Sequence, residues 1–193
     1  MSVNYPSKLV VDVNGEYEGW LLEELISEST ILTRVQELGA QISRDYESKT
    51  PILIGVLNGS FIFIADLIRE IDVECEVDFI KLSSYIGKTS SSGTVRLVKD
   101  ISCNITDRDV IVIEDIVDSG LTVNFLKNRM EGSSPSSVAI VTLLYKNEVA
   151  QLDFDLDYVG FNIPNEFVVG YGLDLDQNFR KLPAIYSVKE KTN

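Results

Sequence analysis

The sequence contains no histidine and only two cysteines, Cys75 and Cys103. The missing histidine excludes catalytic triads and metal sites that use an imidazole, so general acid–base chemistry would fall to Asp or Glu. The two cysteines stand far apart in the sequence and form no C-x-x-C pair, which argues against a zinc or redox motif. We therefore expect two free thiols in a reducing, cytoplasmic compartment.

Long apolar runs are also missing, because no stretch approaches the ~20 apolar residues that a membrane-spanning helix needs. Residues 1–6 lack a cationic start followed by an apolar segment, so neither a signal peptide nor a membrane partner is expected. Cationic residues are few, since 17 Lys and Arg stand against 30 Asp and Glu, a net charge of −13. This charge argues against nucleic acid as a partner, because phosphate backbones bind basic surfaces. A small anionic substrate would need metal ions, backbone N–H groups or a few placed cations.

The 193 residues, 45% of them hydrophobic, fit a single folded domain with a substantial core. Apolar residues recur at helical spacing over 29–46, and the run Ile52–Leu57 shows no alternation, which is typical of a strand buried on both faces. Further helices are predicted at 61–70 and 122–130, and further strands at 77–82, 95–98, 110–113, 137–144, 158–161, 167–171 and 184–188. This alternation predicts an α/β fold with a mostly parallel central sheet flanked by helices, and ligands bound beyond the carboxyl ends of the strands.

The most informative segment is VIVIEDIVDSGLT at residues 110–122. Four apolar residues lead directly into Glu114 and Asp115, and Asp118 follows just before a predicted helix. A serine and Gly120 allow a tight turn and a close backbone approach to a ligand. Free N–H groups at the helix start can hold a phosphate, and Asp118 is the nearest proton acceptor. An ordinary helix N-cap would explain one or two of the acids, but not the abrupt change from an apolar strand to adjacent carboxylates.

This segment resembles the signature with which phosphoribosyltransferases bind phosphoribosyl pyrophosphate (PRPP): apolar residues, two acids, two apolar residues, Asp, Ser or Thr, Gly, any residue and Thr. Other segments resemble the hypoxanthine-guanine branch of that family. They are its pyrophosphate loop at 55–60, its mobile lid at 83–93, its purine lysine segment at 143–146 and its base-binding hood at 167–174 with 179–180. Order and spacing agree over residues 25–188, so the chain is identified as a member of this branch.

The resemblance implies the type I phosphoribosyltransferase fold in one domain over residues 1–193. Its core would span about 29–150, and a small hood would be built from about 1–28 and 151–193. The substrates would be PRPP and a 6-oxopurine base, the cofactor Mg²⁺, and the assembly a homodimer or homotetramer.

Site residues are implied motif by motif. Those implied to bind PRPP are Glu114, Asp115, Asp118, Ser119, Gly120, Leu121 and Thr122. Those implied to bind pyrophosphate are Leu57, Asn58, Gly59 and Arg180, and the family often has a cis peptide bond between the equivalents of Leu57 and Asn58. Those implied to bind the purine are Lys146, Phe167, Val168 and Asp174. The lid would use Ser84 and Tyr85, and the metal ligands would be Glu114, Asp115 and Asp174.

The resemblance also implies the chemistry of base recognition. Asp118 would exchange a proton with N7 of the purine while N9 attacks C1 of the ribose. Lys146 would donate a hydrogen bond to O6, Phe167 would stack on the ring, and the backbone of Val168 would contact the ring edge. A donor at O6 rejects adenine, whose amino group at that position is also a donor.

Two positions depart from the family pattern. Many relatives carry lysine where this chain has Asn58, and some carry a basic residue where it has Ser83, to which no role is assigned. Two alternatives to a hypoxanthine-guanine enzyme also stay open. The first is an enzyme that prefers xanthine, which differs only at the 2-position. The second is a regulatory protein that binds PRPP or nucleotide without turnover, although the presence of Asp118 argues against it.

Overall fold

The computed structural model describes residues 6–11, 17–85 and 94–189. Within these ranges the strands are β1 (Lys8–Val10), β2 (Leu21–Ile26), β3 (Ile52–Leu57), β4 (Glu76–Tyr85), β5 (Thr94–Lys99), β6 (Asp109–Val117), β7 (Ser137–Tyr145), β8 (Tyr158–Asn162), β9 (Val168–Val169) and β10 (Ile185–Lys189). The helices are α1 (Glu28–Asp45), α2 (Phe61–Leu67), which a 3-10 turn at Ile68–Glu70 continues, and α3 (Leu121–Glu131). None of the helices in the described ranges is long and apolar enough to cross a membrane.

Six strands form the larger sheet, in the order β5-β4-β3-β6-β7-β8. Neighbours from β4 to β8 are parallel, and only β5 pairs antiparallel, with β4. The predicted α/β fold with a mostly parallel sheet is therefore confirmed. The larger sheet also takes in β8, which pairs with β7 from Val141↔Tyr158 to Tyr145↔Asn162. The core therefore extends past the boundary predicted near residue 150.

Alternate side chains of the central strands enter two different apolar layers. Leu53 of β3 and Ile111 of β6 pack in the layer that contains α1 and α2. Ile54 and Val112, one residue further along each strand, pack with α3 on the opposite face. Both faces of these strands are covered, which explains why their sequences are apolar without alternation.

A second sheet is antiparallel and has the strand order β1-β2-β10-β9. It joins the two N-terminal strands to two strands near the C-terminal end, so the predicted hood made from both ends of the chain is confirmed. Val169 and Tyr186 belong to the hood's own apolar cluster. Val168 and Ile185 instead pack in the layer of α1 and α2, and this contact fixes the hood on the larger sheet.

Candidate active site

A cavity of about 340 Å³ lies between the carboxyl ends of the parallel strands and the hood. Among the predicted site residues, it is lined by Leu57, Asn58, Gly59, Asp115, Asp118, Lys146, Phe167, Val168, Asp174 and Arg180. A smaller cavity of about 160 Å³ shares the turn after β3 and Asp115 with the larger one, and adds Glu114 and Thr122. Residues predicted from four separate motifs thus meet at one edge of the sheet.

The turn after β3 brings its backbone unusually close to β6. The peptide bond between Leu57 and Asn58 is cis, as the sequence resemblance implied. A Cβ at Gly59 would lie 1.4 Å from Oδ2 of Asp115, so only glycine permits this approach. The turn backbone and the Asp115 carboxyl group therefore form one continuous wall of the site.

The turn after β6 leads into α3 through a glycine. Gly120 is the N-cap of α3 and has φ +88°, a value that favours glycine. Oγ of Ser119 accepts a hydrogen bond from the Leu121 N–H at 3.4 Å. Ser119, Gly120 and Leu121 are not among the described residues that line the two cavities. They connect Asp118, in the larger cavity, to Thr122, in the smaller one.

The two acids at the end of β6 are electrostatically unusual. Burial, together with the neighbouring Asp115 charge, raises the pKa of Glu114 well above its ordinary value. Burial also raises the pKa of Asp115 to about 6, although the Ile116 N–H and the Arg180 charge act in the opposite direction. Oε2 of Glu114 is buried and has no hydrogen-bond partner in the described part of the chain. Because a buried carboxylate without a partner is costly, this pair of acids is suited to a ligand or cation that the protein itself does not supply.

Two ion pairs occupy the larger cavity. Nζ of Lys146 lies 2.8 Å from Oδ2 of Asp118, and the lysine side chain is only 7% exposed. Arg180 lies 2.7 Å from Oδ1 of Asp174 and also donates to the Gly172 carbonyl oxygen at 2.7 Å. Lys146, the predicted donor to O6, is thus in contact with Asp118, the predicted proton acceptor. Arg180, predicted to bind pyrophosphate, is in contact with Asp174, a predicted metal ligand.

The hood contributes Phe167 and Val168 to the cavity. Phe167 is 53% exposed, although its backbone carbonyl accepts a hydrogen bond from the Val188 N–H at 2.9 Å. Val168 is buried in β9. The exposed aromatic ring of Phe167, next to the buried Val168, is suited to stacking against a planar ligand.

Comparison with known proteins decides the family. Residues 23–176 match the family model described as a phosphoribosyl transferase domain. The chain belongs to the phosphoribosyltransferase family. It is 48% identical to the hypoxanthine-guanine phosphoribosyltransferase of Streptococcus mutans over 166 residues, which are 86% of this chain and 92% of that protein.

Solved structures agree with this family and with the type I phosphoribosyltransferase fold. The hypoxanthine-guanine phosphoribosyltransferase of Bacillus anthracis, with a HEPES molecule in its active site, matches with a TM-score of 0.81 and 48% identity over 86% of this chain and 97% of that one. A hypoxanthine phosphoribosyltransferase of Staphylococcus aureus matches with a TM-score of 0.82 and 42% identity over 86% of this chain and 91% of that one.

The predicted lid of this phosphoribosyltransferase falls largely outside the described residues. Residues 86–93 lie outside them, and so do the side chains of Ser84 and Tyr85. The backbone of Ser84 and Tyr85 ends β4 and pairs with the start of β5. The roles of Ser84 and Tyr85 therefore stay predictions.

Four residues line the larger cavity without having been predicted, namely Lys81, Leu82, Ile116 and Leu173. Lys81 is the most informative of these, because it is level with Leu57 in the parallel pairing of β3 and β4. The signal that would have found it is the strand order of the sheet. Once β4 is known to lie beside β3, its residues level with the turn after β3 become candidates.

The acids of this phosphoribosyltransferase fit a magnesium ion that is bound partly by substrate. Within the described ranges, no group of three or more His, Cys, Asp or Glu side chains is arranged to hold a metal ion by itself. Mg²⁺ typically takes only one or two protein carboxylates and completes its shell with water and substrate phosphates. Asp115 and Asp174 line the larger cavity. Glu114 lines the smaller one, and its Oε2 has no hydrogen-bond partner among the described residues.

Proposed function

We propose that this phosphoribosyltransferase acts in purine salvage, where it transfers the phosphoribosyl group of PRPP to hypoxanthine or guanine. The N9–C1 bond forms while the bond from C1 to the pyrophosphate oxygen breaks. The products are IMP or GMP and pyrophosphate. The observation that carries the proposal is the single cavity shared by the β6 acids, the turn after β3, Lys146 and Phe167. The names of relatives at 48% identity support the same substrates.

In this proposal the loop after β6 binds the ribose 5-phosphate end of PRPP. Residues 118–122 hold the phosphate at the N-terminus of α3, where backbone N–H groups and the hydroxyl group of Thr122 can donate. Glu114 and Asp115 lie at the end of the preceding strand and bind the ribose hydroxyl groups. The position of Gly120 supports this role, since it is the N-cap of α3 and the N–H groups of the first helical turn follow it directly.

The purine binds against Phe167 and Val168, with its O6 and N7 edge toward Lys146 and Asp118. Lys146 donates a hydrogen bond to O6, and Asp118 takes the proton that the purine loses at N7. The 2.8 Å contact between Lys146 and Asp118 supports this assignment, because O6 and N7 are neighbouring atoms on one edge of the purine.

Pyrophosphate leaves against the turn formed by Leu57, Asn58 and Gly59, with Arg180 as a cation in the same cavity. Glu114, Asp115 and Asp174 hold Mg²⁺, which when bound neutralises charge on the departing pyrophosphate. Ser84 and Tyr85 close over the reacting centre and exclude water, which would otherwise hydrolyse PRPP.

We also propose that the protein is cytoplasmic and forms a homodimer or homotetramer. Cys75 and Cys103 are free thiols, which fits a reducing compartment. Light scattering on the purified protein tests the assembly, and a monomer at all concentrations would contradict it.

The test of function is a panel of four bases with purified protein, Mg²⁺ and PRPP, followed by absorbance. We expect turnover of hypoxanthine and guanine and none of adenine, with a chelator-treated sample as the control. Xanthine as the best substrate would favour the xanthine-preferring alternative. Binding of PRPP without turnover of any base would favour the regulatory alternative.

A further inference from the structure

Lys81 differs from every other charged side chain that lines the larger cavity. Lys146 is paired with Asp118, Arg180 with Asp174, and Asp115 accepts the Ile116 N–H. Among the described residues that line this cavity, only Lys81 is charged and has neither an ion pair nor a side-chain hydrogen bond. Its side chain is half-buried. An ammonium group partly removed from water is stabilised by an anion, and none of the described carboxylates that line this cavity forms an ion pair with Lys81.

The position of Lys81 indicates which anion this is. Lys81 is level with Leu57 across the β3–β4 pair, and Leu57 begins the turn to which the proposed function assigns pyrophosphate. That turn carries no charge of its own, since it consists of Leu57, Asn58 and Gly59. Arg180, the other cation assigned to pyrophosphate, is already engaged by Asp174 and the Gly172 carbonyl. Among the described residues that line this cavity, Lys81 is therefore the cation whose charge no carboxylate compensates.

We infer that Lys81 binds the pyrophosphate group of PRPP and remains in contact with it as the leaving group. The inference rests on the proposed function and adds a residue of β4 to the site. A lysine ammonium is a compact charge with three donors on a flexible stem, so it can follow a phosphate oxygen as the C1–O bond breaks. Hydrogen bonds between ionised partners are roughly twice as strong as neutral ones, so the contact should be measurable.

The test measures binding of inorganic pyrophosphate with Mg²⁺ by calorimetry, and KM for PRPP and for hypoxanthine by steady-state kinetics. Lys81→Gln should weaken pyrophosphate and raise KM for PRPP about tenfold, equivalent to about 1.4 kcal/mol. KM for hypoxanthine and the melting temperature should not change, and Lys81→Arg should restore most of the affinity. Lys49→Gln is the matched control. Lys49 precedes β3 at the amino ends of the parallel strands, away from the cavity, and its side chain is 48% exposed.

Two results would overturn the inference. One is equal pyrophosphate affinity and equal KM for PRPP in the wild type and Lys81→Gln. The other is a similar rise in KM for both substrates together with a lower melting temperature, which would mean that Lys81 only supports β4. The pyrophosphate titration needs no turnover, so it decides the role of Lys81 even if the base panel were to contradict the proposed function. Conversely, turnover of hypoxanthine with unchanged pyrophosphate binding in Lys81→Gln would refute this inference alone.

Discussion

Lys146 and Asp118 form an ion pair between two neighbouring strands, with 2.8 Å between Nζ and Oδ2. Asp118 follows β6 and Lys146 follows β7, and the Lys146 N–H donates to the Val117 carbonyl oxygen at 3.0 Å. This backbone bond holds the two side chains level at the edge of the sheet. One cation and one anion are thereby presented side by side to the cavity, as the proposed contacts with O6 and N7 of a 6-oxopurine require.

Asp118→Asn tests the proposed proton transfer. The amide keeps the size of the carboxyl group but cannot accept the N7 proton, so we expect kcat to fall about 10²–10⁴-fold. The dissociation constant of PRPP, measured by calorimetry, should change far less. Asp153→Asn is the matched control, because Asp153 is exposed in the loop before β8. Equal losses in kcat and PRPP binding would indicate a ground-state contact instead of proton transfer.

Lys146→Met tests base selectivity. The apolar stem is kept while the O6 donor is lost, so kcat/KM for hypoxanthine should fall much more than for adenine. We expect the preference for hypoxanthine to narrow by about tenfold or more, because a buried donor that matches one base discriminates strongly against another. Lys8→Met, on the exposed strand β1, is the control. If the ratio of the two kcat/KM values stays unchanged, Lys146 does not recognise O6.

Strands buried on both faces were the most predictable part of the fold. The predicted and observed bounds of β3 are identical, Ile52–Leu57, because an apolar run of this length between polar turns fits few other structures. Strands β1 and β2 were not predicted. Besides β1, strand β2 pairs with β10, whose Ser187 lies opposite Glu23 although the two residues are far apart in the sequence. Such a strand exists through long-range pairing, which local periodicity does not reveal.

The candidate site likewise has a part that the local sequence predicts and a part that depends on long-range pairing. Glu114, Asp115 and Asp118 were predictable, because acids that follow directly on a run of buried apolar residues have no explanation in packing. The strand itself continues past the predicted end at residue 113, so Glu114 and Asp115 lie within β6 and Asp118 follows it. The resemblance to a known family added Lys146, Phe167 and Arg180. The ion pair of Lys146 with Asp118 was not predictable, nor was the presence of Lys81, because both depend on strand order and register. Those are properties of the whole sheet and not of any one segment.

Gly59→Ala tests the close approach of the turn after β3 to β6. Its Cβ would lie 1.4 Å from Oδ2 of Asp115, so the turn or the carboxyl group must move. We expect a loss of turnover of at least about 10²-fold, since small displacements of positioning groups have effects of this size. Circular dichroism should show a folded protein.

Gly132→Ala is the matched control for this substitution. Gly132 follows α3 with a helical φ of −61°, and its nearest Cβ contact would be an ordinary 3.4 Å. Alanine there should leave turnover unchanged and stabilise the protein by about 0.4–1 kcal/mol, because it reduces the entropy of the unfolded chain. Full activity in Gly59→Ala would show that the contact between the turn and Asp115 is not needed.

Asp115→Asn tests how much the buried charge of Asp115, at the end of β6, lowers the free energy of unfolding. Burial raises the pKa of Asp115 from 3.8 to about 6 in the folded protein. The folded state therefore holds this proton more tightly than the unfolded chain, so the group's stabilising contribution is complete below pH 3.8 and is lost as the pH rises through about 6. Each unit of pKa shift corresponds to about 1.4 kcal/mol, so the effect is on the order of 1–3 kcal/mol.

Urea unfolding with a chelator present, at several values between about pH 4.5 and pH 7.5, measures this effect. The quantity to follow is the difference in the free energy of unfolding between Asp115→Asn and the wild type, because other carboxyl groups add their own pH dependence to both proteins. This difference should shift in favour of the variant as the pH rises, since the amide carries no charge that burial can penalise. Glu114 remains in the variant and its pKa is also raised, so part of the wild-type dependence should persist. A difference that is constant with pH would show that Asp115 ionises as easily in the folded protein as in the unfolded chain.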